Sequence, residues 1–179
     1  MRRAFFGFGS LVNQKTHDFL ITPAELKGWR RQWIATTVRD FAFLSALPDP
    51  STDILGVTAV MADQNWSDLD RREYAYRRVN VSGRFAEHDE TVVYQVAPQN
   101  IAQNLKPLLL SYLDVVVQGF FAIGGEVAVT NFFQTTQGWD GGIYDDRAHP
   151  IYPRAQVLTG AETELCDQMC SDFAVTRVP

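Results

Sequence analysis

The sequence predicts an α+β fold, a mixed, mostly antiparallel sheet or small barrel with helices packed against it. Two observations lead there. Up to Pro98 the apolar residues fall in short runs bounded by glycine, proline and polar clusters, with one brief helical stretch among them. Beyond Pro98 the apolar period lengthens to about 3.6 residues, the spacing of helices. Strands followed by helices, without regular βαβ alternation, argue for a segregated sheet and helix layer.

The 179 residues are read as a single domain over 1–179, with 1–98 the sheet-rich catalytic part and 99–179 a mostly helical extension packed on it. Residues 4–8 form an apolar strand that runs directly into Gly9 and Ser10. Residues 21–29 contain Pro23 and Gly28 and read as a loop. Residues 28–38, with Trp29, Trp33 and Ile34, read as a strand, and 39–53, with Pro48 and Pro50, as an irregular excursion. A β-branched run at 55–61 is a strand. Residues 63–68 turn the chain into a helix with Ser67 as its cap. Two strands at 77–83 and 91–96 flank a polar turn at 87–90. Pro107 fits the first turn of a helix reaching about Phe121, Gly124 and Gly125 break it, and 126–134 form a second helix. A segment rich in glycine, aspartate, proline and aromatics spans 137–154, and a terminal helix at 161–171 is capped by Thr159.

The stretch with most chemical content is Leu69-Asp70-Arg71-Arg72-Glu73-Tyr74-Ala75-Tyr76-Arg77-Arg78-Val79. On a helix Trp66, Leu69, Glu73 and Tyr76 share one side, while Arg71 and Arg72 fall on a wetter flank. Glu73 therefore sits where the pattern asks for an apolar side chain. Desolvation there would raise its pKa toward the range useful for proton transfer. The structural alternative is an i,i+4 ion pair with Arg77.

Composition narrows the rest. With 46% hydrophobic and 21% charged residues the chain is not disordered, and a net charge of −5 gives no support to a nucleic-acid partner. No signal-peptide pattern is read at the start, and a cytoplasmic location is expected. The apolar run 108–124 is short of the roughly 20 residues a membrane span needs and carries Ser111, Asp114 and Gln118 on one stripe, so it reads as a core helix and no membrane partner is expected. Cys166 and Cys170 read as small helix residues. No dinucleotide fingerprint follows Gly7-Phe8-Gly9, no Gly-x-Ser-x-Gly elbow is present, and no histidine–carboxylate cluster stands at metal-ligand spacing. Left standing are Glu73 and the glycine-bounded turn at residues 7–11, whose successive N–H groups can cradle an anion. That pair suits acid–base work on a small anionic substrate.

Phe8-Gly9-Ser10-Leu11 after a first strand resembles the Tyr-Gly-Ser-Leu signature of the gamma-glutamylcyclotransferase-like proteins. Leu69-Asp70-Arg71-Arg72-Glu73 and Tyr76-Arg77-Arg78-Val79 resemble the segment that holds their catalytic glutamate, and Gly56-Val57 is similar too. Asp146-Arg147-Ala148-His149-Pro150-Ile151-Tyr152-Pro153-Arg154, with Ser111-Tyr112-Leu113-Asp114, resembles a helical extension of some bacterial members. The resemblance implies a six-stranded barrel-like fold and cofactor-independent release of 5-oxoproline from a gamma-glutamyl peptide or amine. Glu73 would be the general acid/base, and Phe8, Gly9, Ser10 and Leu11 would grip the glutamyl end. Phe8 departs from the family's tyrosine, so a polar group such as Tyr74, Tyr76 or Arg39 must compensate, or the substrate differs. Residues 140–154 are expected to cover the cavity mouth, with Arg147 or Arg154 facing the variable part of the substrate. Two other readings stand beside this one: a non-catalytic module binding a gamma-glutamyl-type metabolite, and amide hydrolysis at Glu73 yielding free glutamate.

Overall fold

A computed structural model describes residues 2–178; Met1 and Pro179 lie outside the described residues. The first strand, β1 (Arg3–Gly7), is central because its run of Ala4, Phe5 and Phe6 is buried on both faces. Successive side chains of a strand point to opposite sides, and here Phe6 enters the main core while Phe5 enters a second cluster with Trp66 and Leu69. Two long strands follow, β2 (Thr22–Ala35) and β3 (Ala42–Val60), paired antiparallel along most of their length. A short helix α1 (Trp66–Arg72) leads to β4 (Tyr76–Asn80) and β5 (Glu90–Val96). After β6 (Leu108–Leu109) comes the long helix α2 (Leu110–Gln134), then β7 (Thr136–Gln137), β8 (Ile143–Tyr144), α3 (Gly160–Asp172) and β9 (Arg177–Val178).

The large sheet has the order β4-β5-β1-β3-β2-β7 and is mixed: β1 runs parallel to β5 and β2 parallel to β7, with the other pairs antiparallel. It curls on itself. The start of β3 meets the end of β5 through Gln95 Nε2 to the Ala46 carbonyl (3.1 Å) and the Val96 N–H to Ser45 Oγ (3.0 Å). A smaller parallel sheet, β6-β8-β9, ties the two ends of the helical region together. The fold is thus α+β with a six-stranded mixed sheet and helices on its faces, as the sequence predicts.

Two expectations fail in the first half. Residues 21–29 and 39–53 are not a loop and an excursion but most of β2 and β3. The punctuating residues are absorbed locally. Lys27 pairs with Asp53 and Trp29 with Pro48, so Gly28, in the left-handed region at φ +74°, faces the extra residues 49–52 across a bulge. Asp49 stabilises that bulge by accepting from the Ser51 N–H and hydroxyl. Pro50 falls among those extra residues, outside the ladder, and so interrupts no pairing.

The helices conform more closely. The backbone of α2 breaks at Gly124 and Gly125, as read, although the helix starts at Leu110 and Pro107 precedes it in extended chain. By length and composition α2 could cross a membrane; in this fold Leu113, Val116, Val117, Phe120, Val129 and Phe132 are fully buried in the main core. Thr159 caps α3 in a reciprocal capping box with Glu162. Cys166 and Cys170 are free thiols buried on that helix.

Gly119 lets α2 approach the turn after β1, since a Cβ there would stand 2.7 Å from the Asn13 nitrogen. Asn13 fastens the contact by donating to the Val115 carbonyl (2.9 Å) and Gln118 Oε1 (3.0 Å). Arg31, the largest fully buried side chain, donates from Nε to the Phe8 carbonyl (2.9 Å), from its terminal nitrogens to Thr135 Oγ1 (2.6 Å) and the Leu55 carbonyl, and lies over Phe120 and Phe132. Burial without a carboxylate pulls its pKa down to about 9, so it remains a cation at neutral pH. It ties the turn at residues 8–11 to β3 and to the end of α2.

Candidate active site

The turn after β1 is a single turn of 3-10 helix, Ser10–Val12, entered through Gly9. The N–H groups of Val12 and Asn13 bond back to the carbonyls of Gly9 and Ser10 at 2.9 and 3.1 Å. Those two amides are therefore withdrawn from the expected anion cradle. Ser10 N–H reaches the Tyr112 hydroxyl at 3.4 Å, and Leu11 N–H has no partner among the described residues, as befits the first turn of a helix.

Glu73 faces this turn from the end of α1. The helical stripe predicted over Trp66, Leu69, Glu73 and Tyr76 does not continue that far. Trp66 and Leu69 are buried on α1, Glu73 is the residue that closes it (φ −96°, ψ 33°), and Tyr76 opens β4. The cap at the other end also differs: Asn65 precedes the first turn, and Ser67 donates instead to the Gln64 carbonyl. α1 is anchored to β4 and β5 by Asp70, whose carboxylate takes Nε and a terminal nitrogen of Arg78 at 2.8 and 2.6 Å and the Tyr94 hydroxyl at 2.7 Å. Arg3 and Arg78 lie over the Trp66 ring.

Only 14% of the Glu73 side chain is exposed. Its ion-pair partner is not Arg77, which is bonded to Gln95, but Arg72, with Nε 3.2 Å from Oε1. Arg72 is not on a wet flank. Its side chain is 8% exposed, and its terminal nitrogens donate to the Thr16 carbonyl (3.1 Å), Thr16 Oγ1 (3.1 Å) and Ser10 Oγ (3.3 Å). Burial raises the Glu73 pKa above its ordinary value of 4.5, and the positive charges of Arg72 and Arg154 oppose that shift without cancelling it. Glu73 is thus a carboxylate that holds a proton more readily than an exposed one.

The two pieces meet at a cavity of about 680 Å³ lined by Ser10, residues 37–44, Arg72, Glu73, Tyr74, Tyr76, Leu109, Tyr112 and residues 151–154. A small inner recess of about 20 Å³, bounded by Phe6, Phe8, Gly9, Leu11 and Tyr94, shares Ser10, Leu44, Glu73, Tyr76 and Tyr112 with it. Burial pushes the Tyr76 and Tyr112 phenols well up, so both are neutral hydroxyls. Tyr76 donates to the Leu44 carbonyl at 2.9 Å. Among the described residues no group of histidines, cysteines and acids is arranged to hold a metal ion.

Of the residues singled out from sequence, Phe8, Gly9, Ser10 and Leu11 bound the inner end, Glu73 and Tyr76 its wall, and Arg39 and Arg154 the outer part. Arg147 does not join them. It bridges Asp114 (2.8 Å to each oxygen) and Asp167 (3.0 and 3.2 Å), pinning the segment before residue 150 to α2 and α3. Residues 151–154 do reach the cavity because buried Asp146 accepts from Ser111 N–H, the Ser111 hydroxyl and Ile151 N–H, and the same hydroxyl takes the Tyr152 N–H.

Among the lining residues that the sequence does not single out for the site are Arg72, Tyr112 and Tyr152. The motif Ser111-Tyr112-Leu113-Asp114 was a signal for the second, and the tail motif for the third. Tyr112, packed edge-on against Tyr152 at 5.0 Å, brings a hydroxyl to Ser10 where Phe8 has none. The lining of the candidate site accordingly draws on residues after 98 as well as before it.

No family model matches the chain, and no curated protein matches it in sequence. Solved structures do. One described as gamma-glutamyl cyclotransferase superposes with a TM-score of 0.57 at 13% identity, covering 94% of this chain and 99% of that one. The uncharacterized protein loc79017 from Homo sapiens gives 0.55 at 14%, covering 92% and 97%. YkqA from Bacillus subtilis gives 0.50 at 21%, covering 66% of this chain and 48% of that one. The chain therefore has the gamma-glutamylcyclotransferase-like fold.

Proposed function

We propose that the protein releases 5-oxoproline from a gamma-glutamyl peptide or amine by intramolecular cyclisation, with Glu73 as general acid/base. The observation that carries this reading is the largely buried Glu73 carboxylate, raised in pKa, on the wall shared by the inner recess and the larger cavity. The chemistry asks little else of a protein. The substrate's own α-amino group attacks its γ-carbonyl carbon, forming the ring C–N bond as the original amide C–N bond breaks. Glu73 takes the proton the amine loses and returns it to the departing nitrogen, so no water, metal or redox partner enters the balance. Intramolecular attack depends on orientation, which a rigid pocket supplies. The Ser10 and Leu11 amides would hold the glutamyl carboxylate, and the neutral Tyr112 hydroxyl would replace the one Phe8 lacks.

The test is direct. Purified parent and Glu73→Gln are offered a panel of gamma-glutamyl peptides and amines, with 5-oxoproline, free glutamate and folding by circular dichroism as readouts. The parent should release 5-oxoproline without glutamate. Glu73→Gln should stay folded and lose roughly 10² to 10⁴ in rate, the contribution of a positioned acid–base group. Parent-like turnover by Glu73→Gln would remove the mechanism, and glutamate as the product would assign hydrolysis instead.

A further inference from the structure

Two cations in the cavity have no hydrogen-bond or ion-pair partner among the described residues. From Arg3 onward the other arginines each place their guanidinium on an internal acceptor, including Arg72 on Thr16, Ser10 and Glu73 and Arg147 on Asp114 and Asp167. Arg39 and Arg154 are different: among the described residues neither guanidinium has a hydrogen-bond or ion-pair partner, although both line the cavity. Both are nevertheless held in place through their backbones. The Lys106 ammonium donates to the Thr36 and Arg39 carbonyls at 2.7 Å each. The chain leading to Arg154 is fixed by the Ile151 N–H to Asp146 and the Tyr152 N–H to Ser111. Two unpaired arginines lining one cavity, Arg154 half-buried and Arg39 exposed, offer charge to an anionic ligand at its outer part.

Their position says which part of a substrate they meet. Ser10, Leu44, Glu73, Tyr76 and Tyr112 belong to both the recess and the larger cavity and mark where the γ-carbonyl would react. Arg39 and Arg154 line only the larger cavity, as do Phe41, Tyr74, Ile151 and Tyr152. Tyr74 and Ile151 are 55% and 47% exposed, large side chains with little core to serve. At about 680 Å³ the space is of the size that encloses a drug-sized ligand, more than a glutamyl unit fills.

We infer that this outer half selects the leaving group: an amino acid or short peptide whose free carboxylate pairs with Arg154 and Arg39 while an apolar side chain lies against the aromatic wall. The inference rests on the cyclisation proposed above and adds what that reading leaves open, a peptide leaving group in place of a simple amine. Its carboxylate would be bound by charge-assisted hydrogen bonds that an amide at the same position cannot match.

The experiment compares gamma-glutamyl-phenylalanine, its C-terminal carboxamide and gamma-glutamyl-alanine. In the parent, kcat/KM should fall roughly 10- to 100-fold from acid to carboxamide, and gamma-glutamyl-alanine should be the poorer acid. In Arg154→Gln, and more fully in Arg39→Gln/Arg154→Gln, the acid-to-carboxamide ratio should move toward unity. The ratio is the readout because Arg154 also acts on Glu73, an effect common to both substrates. Equal use of acid and carboxamide by the parent overturns the inference. So does an unmoved ratio in the double variant, which would assign the arginines to the glutamyl unit's own carboxylate. If no substrate yields 5-oxoproline, the proposed reaction fails, and calorimetric binding of the same pair judges the inference alone. Tighter binding of the acid that depends on Arg154 supports it; equal binding, or none, overturns it.

Discussion

Substituting Gly9 by alanine should set one new methyl group against one identified atom. A Cβ at Gly9 would stand 2.6 Å from the Tyr112 hydroxyl oxygen and 3.1 Å from Leu44 Cδ2. The hydroxyl cannot swing clear cheaply, since its ring is wedged edge-on between Trp33 (5.8 Å) and Tyr152 (5.0 Å). Overpacking of this kind costs about 1–3 kcal/mol. Tyr112→Phe removes the offending oxygen together with its contact to the Ser10 N–H, a loss of about 0.5–1.5 kcal/mol on its own. In the double variant the main clash is gone, leaving the milder Leu44 contact, so the two changes should be non-additive by about 1 kcal/mol or more. Urea unfolding of the four proteins in this cycle measures that coupling. Strict additivity would mean that Gly9 and Tyr112 do not meet, and the inner end of the cavity would have to be redrawn. Turnover gives a second readout: Gly9→Val, with a branched side chain at the same point, should raise KM more than Ser10→Ala, which removes only the hydroxyl 3.3 Å from Arg72.

Two further outcomes follow from the charges. The folded-state pKa of Glu73 is raised above 4.5, so the folded protein takes up a proton before the unfolded chain does. The stabilisation is complete below the unfolded value and is lost as pH rises through the folded one. The melting temperature of the parent relative to Glu73→Gln should therefore rise as pH is lowered toward 4.5, and a flat difference would contradict the burial assigned to Glu73. Arg147→Ala should destabilise the fold by about 1–3 kcal/mol, because it strands Asp114 with its side chain 6% exposed, yet leave the acid-to-carboxamide preference in place; loss of that preference would put Arg147 in the site after all.

The legible parts of this molecule are those whose signal is local. A buried central strand shows as three apolar residues in a row, a helix break as Gly124-Gly125, a cap as Thr159 with Glu162 three residues on. The long strands β2 and β3 were hidden by Pro23, Gly28, Pro48 and Pro50, residues that normally end strands. Only the pairing across the bulge at Gly28 shows that the ladder resumes beyond them. Arg72 was assigned to the wet flank because periodicity weighs position along a helix and not the partners that long-range folding brings. Thr16 and Ser10, some sixty residues earlier in the chain, supply those partners. Tyr112 stands in its motif with no place in the site, since a sequence does not say which turn a distant helix will cover, whereas Tyr152 falls in the segment expected over the cavity mouth.

The misread end of α1 is itself the key to Glu73. Within a regular helix, neighbours i and i+1 point about 100° apart and do not face each other. Arg72 and Glu73 meet because the helix ends between them: Arg72 is its last residue, and Glu73 has left helical geometry at ψ 33°. The contact is also a limited one. Arg72 offers Nε to Oε1, while its terminal nitrogens are committed to Thr16 and Ser10. The forked, bidentate clamp that would hold a carboxylate firmly ionised is therefore not formed. Oε2 of Glu73 has no hydrogen-bond or ion-pair partner among the described residues, and the side chain as a whole is largely shielded from water. One guanidinium thus orients the carboxylate by one oxygen and orders the turn that faces it, leaving the second oxygen to exchange a proton with whatever occupies the cavity. A glutamate placed mid-helix, with Arg77 as its i+4 partner, would have been a surface ion pair; the early end of α1 is what makes it a candidate base.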